Sequence, residues 1–594
     1  MCTSCCADAQ VPENRPTRDA AHRPARARRR TAALAVVGAT GLVLLTGCGG
    51  AATGATAASP AAGSATYGEA DDWPENLLPY IAAGSSTTVQ DLIGRVLPSA
   101  FIVQPDLTVK YDSELLTGEP TNTLVNGAQT TVYRLNPAAV WSDGTPISAA
   151  DFAYTWHVST SADQGGCDGT TSTTGYEDIR AVTGSDDGRT VTVTYAKPFS
   201  DWRSLFAGSE PLLPAHLMAD KDAAKQCRTF DAGWATADGL PHDISGGPWQ
   251  LKKSNIDSST QIAVLTPNPA YWGAKPKLSR LVVEHIGTDP QVQVQGLKNG
   301  ELDVVYPQPQ LDLVKQMAGL APQITSATDF GLSFEHLDFN TEDPQLSDVA
   351  VRRAFAMALD RQEIVDQTVG QFSGKARVLD NHLYVNNQPQ YKDNAPAQYK
   401  TQNIAGAKAL LEQDGYVLGA DGVYAKDGKR LSFTIDTTPN NQLRLSTITV
   451  MAAQLKKAGI EVTANPNPDL FSGPDKPASL VAGGFQIALF SWTTSPFVTS
   501  ELAAYQSPAR GFGQNVSRAG TPAIDALLDR ITTDQDTTRQ AADANAADAL
   551  LWDQMATIPL YQKPTFIAYS SALHDVVDNP SLARLTWNSQ EWTR

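Results

Sequence analysis

The sequence contains little of what a metal-binding or catalytic site usually requires. It has six Cys and eight His in 594 residues. The histidines are scattered, and beyond residue 47 there is neither a CxxC pair nor a closely spaced His pair, which argues against a zinc site. The motifs G-x-S-x-G, H-E-x-x-H and Walker A are missing. We therefore expect no metal, no cofactor and no enzymatic activity.

Basic residues are also scarce relative to acidic ones. The chain has 46 Lys and Arg against 63 Asp and Glu, which gives a formal net charge of −17. A general nucleic-acid binder needs a basic surface to neutralise phosphates. This acidic balance argues against a nucleic-acid partner.

Long hydrophobic runs are missing, except for one short run near the N-terminus. Residues 32–45 are apolar with interruptions, and the arginine-rich segment 26–30 precedes them. A bilayer-spanning helix needs about 20 apolar residues, whereas a short run after basic residues is typical of a secretory signal peptide. We therefore predict a signal peptide over residues 1–47.

The run ends in Leu-Thr-Gly at residues 45–47, followed by Cys48. This pattern resembles the bacterial lipobox, and the resemblance implies that the Cys48 thiol carries a lipid and that cleavage precedes it. The segment 48–66 is rich in Gly, Ala, Ser and Thr, which predicts a flexible tether. The alternative is an ordinary signal peptide with a chance cysteine.

After residue 47, the remaining cysteines are Cys48, Cys167 and Cys227. If Cys48 is lipidated, one pair is left, and an exported protein is expected to form one disulfide from it. The alternative is that Cys167 and Cys227 are two buried free thiols.

The rest of the chain alternates strand and helix patterns. Turn signals at residues 187–188 and 427–428, both Asp-Gly, predict two hairpins. Apolar periodicity predicts helices in the second half, of which one is capped by Ser347 or Asp348 and another covers residues 404–411. These patterns indicate a mixed α/β protein.

Aromatic residues in loop-like contexts are the most suggestive feature for binding. Ligand pockets use such aromatics with a few fixed polar groups, although tryptophan is more often core filler. Both interpretations stay open for a group of tryptophans beside Gly, Pro, Ser or Thr: Trp141, Trp156, Trp249, Trp272 and Trp492.

Residues 139–152, AVWSDGTPISAADF, resemble the signature of the family 5 extracellular solute-binding proteins, which are the peptide-binding lipoproteins of ABC importers. Further matches to that family follow in order along the chain: 195–199 (YAKPF), 214–216 (PAH), 246–251 (GGPWQL), 268–273 (NPAYWG), 300–304 (GELDV), 339–340 (FN), 351–354 (VRRA), 358–361 (ALDR) and 558–561 (IPLY).

The resemblance implies an α/β, two-lobed periplasmic-binding-protein-like fold of type II, in the large peptide-binding class, with a hinge and an interlobe cleft. The first lobe is expected over residues 67–325 together with 559–594, and the second over 326–558. The implied function is that of a monomeric lipoprotein at the extracytoplasmic face of the cell membrane. It would deliver a ligand to ABC permease subunits, and the expected ligand is an oligopeptide.

The family's cleft loop corresponds here to Trp492, Thr493, Thr494 and Ser495, and these residues are the candidate ligand contacts. Phe101 and Asn340 are further candidates, one from each lobe. The adjacent Arg352 and Arg353 are interpreted as structural, ion-pairing residues.

One departure from the family pattern affects the ligand. Peptide-binding members carry an Asp shortly after the equivalent of Trp492, where it pairs with the peptide α-amine. This chain has no acid there until Glu501, and a buried ammonium without a carboxylate is costly. Either another acid substitutes, or the ligand is not a free peptide.

Two further segments, 96–101 and 198–206, resemble an actinobacterial branch of the same family. One lipoprotein of that branch is linked to phosphatidylinositol mannoside and lipoarabinomannan assembly. The alternative function is therefore an envelope-assembly or regulatory lipoprotein on the same fold that is not an importer component.

Overall fold

The computed structural model describes residues 63–511 and 513–594. The predicted signal peptide, Cys48 and most of the predicted tether lie outside the described residues. The first strand begins at Ser64, so residues 64–66, which the sequence assigned to the tether, belong to the folded part instead.

The described residues contain nineteen β-strands. Their bounds are β1 Ser64–Glu69, β2 Phe101–Val103, β3 Val109–Tyr111, β4 Thr121–Val125, β5 Ala128–Arg134, β6 Ile179–Gly184, β7 Thr190–Tyr195, β8 Trp249–Asp257, β9 Ile262–Pro267, β10 Arg280–His285, β11 Val304–Val305, β12 Ile324–Phe339, β13 Val417–Leu418, β14 Tyr424–Lys426, β15 Lys429–Arg430, β16 Ser432–Thr437, β17 Glu461–Pro466, β18 Ile487–Thr493 and β19 Thr557–Ser570.

The same residues contain twelve α-helices. Their bounds are α1 Thr87–Ile93, α2 Ala149–Val158, α3 Ala215–Met218, α4 Ala223–Ala232, α5 Pro290–Asn299, α6 Leu311–Ala318, α7 Val349–Ala358, α8 Arg361–Gln367, α9 Ile404–Gln413, α10 Gln442–Lys457, α11 Pro522–Thr533 and α12 Thr537–Gln554.

The largest sheet has ten strands in the order β17-β16-β18-β12-β19-β11-β1-β10-β9-β8. Its two longest strands, β12 and β19, are neighbours in the interior of the sheet and run antiparallel to each other. The N-terminal part of β12 pairs with the C-terminal end of β19, and that end of β19 also pairs with β11. The C-terminal part of β12 pairs with β18. The register between β12 and β19 shifts between Phe330 and Phe334. An irregularity of this kind bends a strand locally.

Buried apolar residues form separate cores on either side of this irregularity. The first core draws on residues 65–324 and 566–592, and the second on residues 337–561. Among the described strands and helices, only β12 and β19 supply residues to both groups. These two strands therefore connect two bodies, each of which is stabilised by its own buried surface.

The local predictions for hairpins and helices are confirmed. Strands β6 and β7 pair across Asp187 and Gly188, and β14 pairs with β15 across the second Asp-Gly turn. Asp348 caps α7 by accepting a hydrogen bond from the Ala350 N–H at 2.9 Å. These elements form where predicted because their turn and cap chemistry is local.

Arg352 is structural, but its partners are not those of an ion pair. Its guanidinium donates hydrogen bonds to the carbonyl oxygens of Gln554 and Met555, each at 2.9 Å. Arg353 likewise donates to the Asp553 carbonyl at 2.9 Å. The predicted ion pairs are therefore wrong. Both arginines instead donate hydrogen bonds to carbonyl oxygens at the C-terminal end of α12, where the helix dipole is negative.

Cys167 and Cys227 form the predicted disulfide, with their Cα atoms 5.1 Å apart. The bond ties the loop after α2 to helix α4. It closes a chain segment of 60 residues within the first core.

Candidate functional site

A cavity of about 300 Å³ lies between the two cores. One wall comes from β2, β3 and the loops at residues 172–174 and 204–210, which belong to the first core. The opposite wall comes from residues 492–501 and Gln514, which follow β18. Residues 581–583 of the C-terminal tail complete the lining. Because both cores contribute to the lining, the size of the cavity depends on the distance between the two bodies.

Trp492, Thr493, Thr494 and Ser495 all line this cavity. Their position follows from β18, in which Trp492 pairs with Phe334 of the crossing strand β12. The Thr494 hydroxyl donates a hydrogen bond to the Leu332 carbonyl at 2.8 Å. The Trp492 loop, as we call residues 492–495, is therefore anchored to the connection between the cores.

Trp492 rests on other aromatic rings. Its ring lies parallel to that of His336, with the two centroids 5.8 Å apart, and Phe490 meets it edge-on at 5.1 Å. His336 is fully buried, and its Nε2 atom lies 3.1 Å from a carboxylate oxygen of Asp338. These contacts hold the indole in one orientation against the cavity.

Phe101 lines the cavity but is almost completely buried in the first core. Its ring meets Trp202 edge-on at 5.6 Å and Tyr133 at 6.3 Å. It therefore forms a fixed apolar part of the wall.

Asn340 does not line this cavity. Its side-chain amide donates hydrogen bonds to the carbonyl oxygens of Gly483 at 3.1 Å and Phe485 at 3.0 Å. It borders a separate open pocket beside β16 and β17. The structure therefore does not bring Asn340 together with the Trp492 loop.

Two carboxyl groups face the cavity, one from each wall. Glu501 is 8 % exposed, and its Oε1 accepts a hydrogen bond from the Ser500 hydroxyl at 2.8 Å. Burial raises the pKa of Glu501 to about 7, against the opposing effect of hydrogen bonds from Ser500 and the Ser495 backbone.

On the other wall, burial also raises the pKa of Glu210 to about 7. A hydrogen bond with the Tyr176 hydroxyl opposes this shift. The same hydroxyl accepts the Phe206 N–H at 2.9 Å, so the tyrosine is held in place. Glu210 and Glu501 are the only charged residues among the described residues that line the cavity.

These acids are candidates for the role of the missing Asp. The Asp expected shortly after Trp492 is missing, and Glu501 places a carboxyl group on the same wall. Glu501 was noticeable from the sequence as the next acid after the Trp492 loop. Glu210 carries no such signal, because only the fold brings residues 210 and 501 to one cavity.

The two cores also touch directly beside the cavity. Asp201 accepts hydrogen bonds from the Thr499 N–H at 2.9 Å and from the Gln540 side-chain amide at 3.1 Å. The Ser200 hydroxyl donates to the Ile531 carbonyl at 2.8 Å. We call Ser200 and Asp201 the interlobe latch, because their partners belong to the opposite body.

Of the five tryptophans considered as ligand contacts, only Trp492 lines the cavity. Trp141 and Trp249 are fully buried in the first core, and Trp156 and Trp272 pack against it. Their loop-like sequence contexts therefore reflect core packing.

Metal binding and membrane spanning are two further features of the described residues. Residues 63–511 and 513–594 contain no group of three or more His, Cys, Asp or Glu side chains placed to hold a metal ion. Over the same ranges, no helix combines the length and apolar character needed to cross a bilayer.

Comparison with known proteins agrees with this architecture. Residues 103–514 match the family model described as bacterial extracellular solute-binding proteins, family 5. The oligopeptide-binding protein OppA of Mycobacterium tuberculosis is 31% identical over 84% of this chain and 80% of its own length.

A second relative is the probable monoacyl phosphatidylinositol tetramannoside-binding protein LpqW of Mycobacterium tuberculosis. It is 26% identical over 65% of this chain, and the match covers 61% of LpqW.

Among solved structures, the periplasmic EDTA-binding protein EppA superposes with a TM-score of 0.81 at 27% identity, covering 90% of this chain and 97% of EppA. The oligopeptide-binding protein AppA of Bacillus subtilis, in complex with a nonapeptide, gives a TM-score of 0.71 at 21% identity. That match covers 90% of this chain and 99% of AppA, and it supports the fold alone. The predicted two-lobed fold is confirmed, and the chain belongs to the family 5 bacterial extracellular solute-binding proteins.

Proposed function

We propose that this protein is the peptide-binding component of an ABC importer, and that its ligand is a short peptide with a free α-ammonium group. The observation that carries the proposal is the pair of carboxyl groups facing the cavity from opposite lobes, Glu501 beside the Trp492 loop and Glu210 across from it. A buried carboxylate is stabilised by a cation that replaces its lost water.

The same charges argue against an anionic ligand. EDTA, which the relative EppA is named for, carries several carboxylates. Placing it against Glu210 and Glu501 would bring like charges together in a poorly solvated space. A peptide supplies an ammonium group, which the cavity lining favours.

Cavity size favours a short peptide over a large glycolipid headgroup. The volume of about 300 Å³ lies at the lower end of what small-ligand sites offer. A tetramannoside headgroup, for which LpqW is named, is larger than a peptide of two or three residues. An envelope-assembly role remains the alternative function.

We further propose that the protein is a monomer held at the extracytoplasmic face of the cell membrane by lipid on Cys48, with residues 1–47 removed as a signal peptide. Residues 67–325 with 559–594, and residues 326–558, are the proposed lobes. A Cys48→Ser variant should lose labelled palmitate and appear in the culture medium. Retention of that variant on the membrane would contradict the anchor.

The proposed role is binding without chemical conversion. Peptide incubated with the protein should be recovered unchanged by mass spectrometry, whereas shortened or altered products would indicate an enzyme. ABC permease subunits are the proposed partners, because the family acts by delivering ligand to them.

Isothermal titration calorimetry with matched peptides tests the ligand proposal. Trialanine should bind, and N-acetyltrialanine should bind at least about tenfold more weakly, because acetylation removes the ammonium charge. Glu501→Gln should abolish this difference, while Glu301→Gln, at an exposed position, should preserve it. Binding of mannosylated inositol headgroups without binding of any peptide would overturn the proposal in favour of the alternative.

A further inference from the structure

Part of the cavity lining comes from the C-terminal end of the chain. Ser581, Leu582 and Ala583 line the cavity, and they follow β19, one of the two strands that connect the cores. We call residues 579–583 the tail segment. Its contacts outside the cavity determine where this part of the wall lies.

The start of the tail segment is bonded to the first lobe. Asn579 is fully buried, and its side-chain amide donates a hydrogen bond to the Val103 carbonyl at 2.8 Å. Its Oδ1 atom accepts the Ser581 N–H at 3.1 Å and the Ser581 hydroxyl at 2.6 Å. Val103 also lines the cavity. The tail segment is therefore joined to β2 on the wall of the first lobe.

The tail segment is also bonded to the connecting strand β12. The Pro580 carbonyl accepts the Leu332 N–H at 3.3 Å. The Leu332 carbonyl accepts both the N–H of Thr494, at 3.1 Å, and its hydroxyl, at 2.8 Å. Leu332 lies between Phe330 and Phe334, where the register with β19 shifts. One residue of the connection therefore holds two parts of the cavity lining, the tail segment and the Trp492 loop.

Gly331 allows β12 and the tail segment to approach this closely. A Cβ atom added to Gly331 would lie 2.2 Å from the Pro580 carbonyl oxygen. An ordinary contact between non-bonded heavy atoms is about 3.5 Å long, so any side chain here must push the two backbones apart. Glycine is the residue that permits such an approach.

Arg584 fixes the other end of the tail segment. It is 7% exposed, and its Nε atom lies 2.7 Å from a carboxylate oxygen of Asp91. Its Nη1 atom donates a hydrogen bond to Asp71 at 3.0 Å, and Nη2 lies 3.5 Å from a carboxylate oxygen of Glu69. The backbone of Arg584 has a φ of 51°, which residues other than glycine rarely adopt. The surrounding carboxylates hold this conformation and tie the tail segment to β1 and α1.

We propose that Gly331 and Arg584 are positioning residues that set the size of ligand the cavity accepts. Neither residue is among those that line the cavity. Both act through the tail segment, which Gly331 allows to lie against β12 and which Arg584 holds at its far end. This inference rests on the proposed function, because it concerns the same peptide in the same cavity.

A wall that is fixed before the ligand arrives affects binding in two ways. No ordering of the tail segment is then needed on binding, which lowers the cost of association. A fixed wall also distinguishes ligands by size, because an added group must overlap with it and a missing group leaves a gap without contacts. A displaced wall should therefore change size preference, whereas a mobile wall should weaken binding.

Calorimetry with dialanine, trialanine and tetraalanine tests the role of Gly331. Gly331→Ala removes no hydrogen-bonding group but displaces the tail segment. It should change the ratio of the trialanine and dialanine affinities by about fivefold or more, and the ratio for tetraalanine and trialanine as well. Gly374→Ala is the matched control, because a Cβ atom at Gly374 meets nothing within 4 Å. It should leave both ratios unchanged.

Arg584→Met removes the charge that holds the end of the tail segment, and it should weaken trialanine binding by about tenfold. Arg584→Lys keeps a charge and should restore part of the affinity. Arg280→Met, at an exposed position on β10, is the matched control and should bind as the native protein does. Hydrogen exchange followed by mass spectrometry should show faster exchange over residues 578–585 in the ligand-free Arg584→Met variant, and trialanine should slow it again.

Circular dichroism and thermal unfolding establish that each variant folds, and if Arg584→Met does not, Gly331→Ala alone decides the test. Native affinity ratios in Gly331→Ala would overturn the inference, and so would native affinity in a folded Arg584→Met variant. If N-acetylation of trialanine still weakens its binding to the native protein in either case, the proposed function stands and only this inference fails. If no peptide binds to the native protein, both proposals fail together.

Discussion

Asp201 of the first lobe accepts a hydrogen bond from the backbone N–H of Thr499 in the second lobe, with a distance of 2.9 Å between the two atoms. Thr499 itself lines the ligand cavity. This contact therefore couples the position of a cavity-lining residue to the distance between the two lobes. Burial raises the pKa of Asp201, and the hydrogen bonds from Thr499 and Gln540 oppose that shift.

Asp201→Ala should favour the open form of the protein. It removes the acceptor for both Thr499 and Gln540, and a hydrogen bond to a charged group contributes about 1.5–3 kcal/mol. Small-angle X-ray scattering of the ligand-free variant should show a larger radius of gyration. Peptide affinity should fall about tenfold, because part of the binding free energy is then used to close the lobes.

Asp163→Ala is the control for this variant, since Asp163 is an exposed residue outside the interlobe contact. It should change neither the radius of gyration nor the affinity. An Asp201→Ala variant with native scattering and native affinity would show that the interlobe latch does not stabilise the closed form.

Peptide affinity should rise as the pH increases through 7. Glu210 and Glu501, both with pKa values of about 7, are mostly neutral at pH 6 and mostly ionised at pH 8. Only the ionised form attracts an ammonium group, so each carboxyl that contacts the ligand should strengthen binding by up to about tenfold over that range. Calorimetry at the two pH values measures the change.

The groups facing these carboxyls are hydroxyls and backbone amides. They are Tyr176 and Tyr80 for Glu210, and Ser500, the Ser495 backbone and Tyr505 for Glu501. Glu501→Gln should flatten the pH dependence, and Glu301→Gln should not. A peptide affinity that falls as the pH rises from 6 to 8 would contradict the proposal that Glu210 and Glu501 bind the ammonium group.

The stability of the ligand-free protein should change in the opposite direction. The pKa of each carboxyl is raised from 4.5 to about 7 by folding. Between these values the folded protein holds protons that the unfolded chain releases, and so the free energy of unfolding decreases as the pH rises. Urea titrations at pH 5 and pH 8 should show this decrease, and the double variant Glu210→Gln/Glu501→Gln should show less of it.

Trp492→Ala should weaken peptide binding by about tenfold, because it removes an aromatic wall of the cavity. Trp492→Phe, which keeps an aromatic ring against His336, should lose less. Calorimetry with trialanine gives both affinities, and thermal unfolding checks that the fold is preserved. Native affinity in the alanine variant would exclude the indole from the ligand site.

Loss of the disulfide should destabilise the first lobe. Cys167 and Cys227 close a 60-residue segment, and the chain-entropy model assigns about 4 kcal/mol to a loop of that length. Urea unfolding with and without reductant measures the difference. The Cys167→Ala/Cys227→Ala variant should resemble the reduced protein and show no response to reductant. If reductant still lowered the free energy of unfolding of that variant, the destabilisation would have a cause other than loss of this disulfide.

Local chemistry explains which sequence predictions succeed. The N-terminal cap of α7 and the Asp-Gly hairpins depend on residues that are close together in the chain, so the sequence alone predicts them. The Trp492 loop was found through its resemblance to a family, and it lines the cavity. Asn340 borders a separate pocket, and its side-chain amide is engaged by the carbonyls of Gly483 and Phe485, which are distant from it in the sequence.

The sequence by itself determined the α/β class, the family and the absence of an acid directly after Trp492, and it left Cys167 and Cys227 as one candidate pair, which the structure shows to be bonded. These features depend on local patterns, counts or motif order. Only the tertiary structure placed Glu210 opposite Glu501, because the two residues lie on different lobes and meet at one cavity. It also placed the tail segment against the same cavity and Gly331 against Pro580, since residues so far apart in the chain come into contact only when it folds.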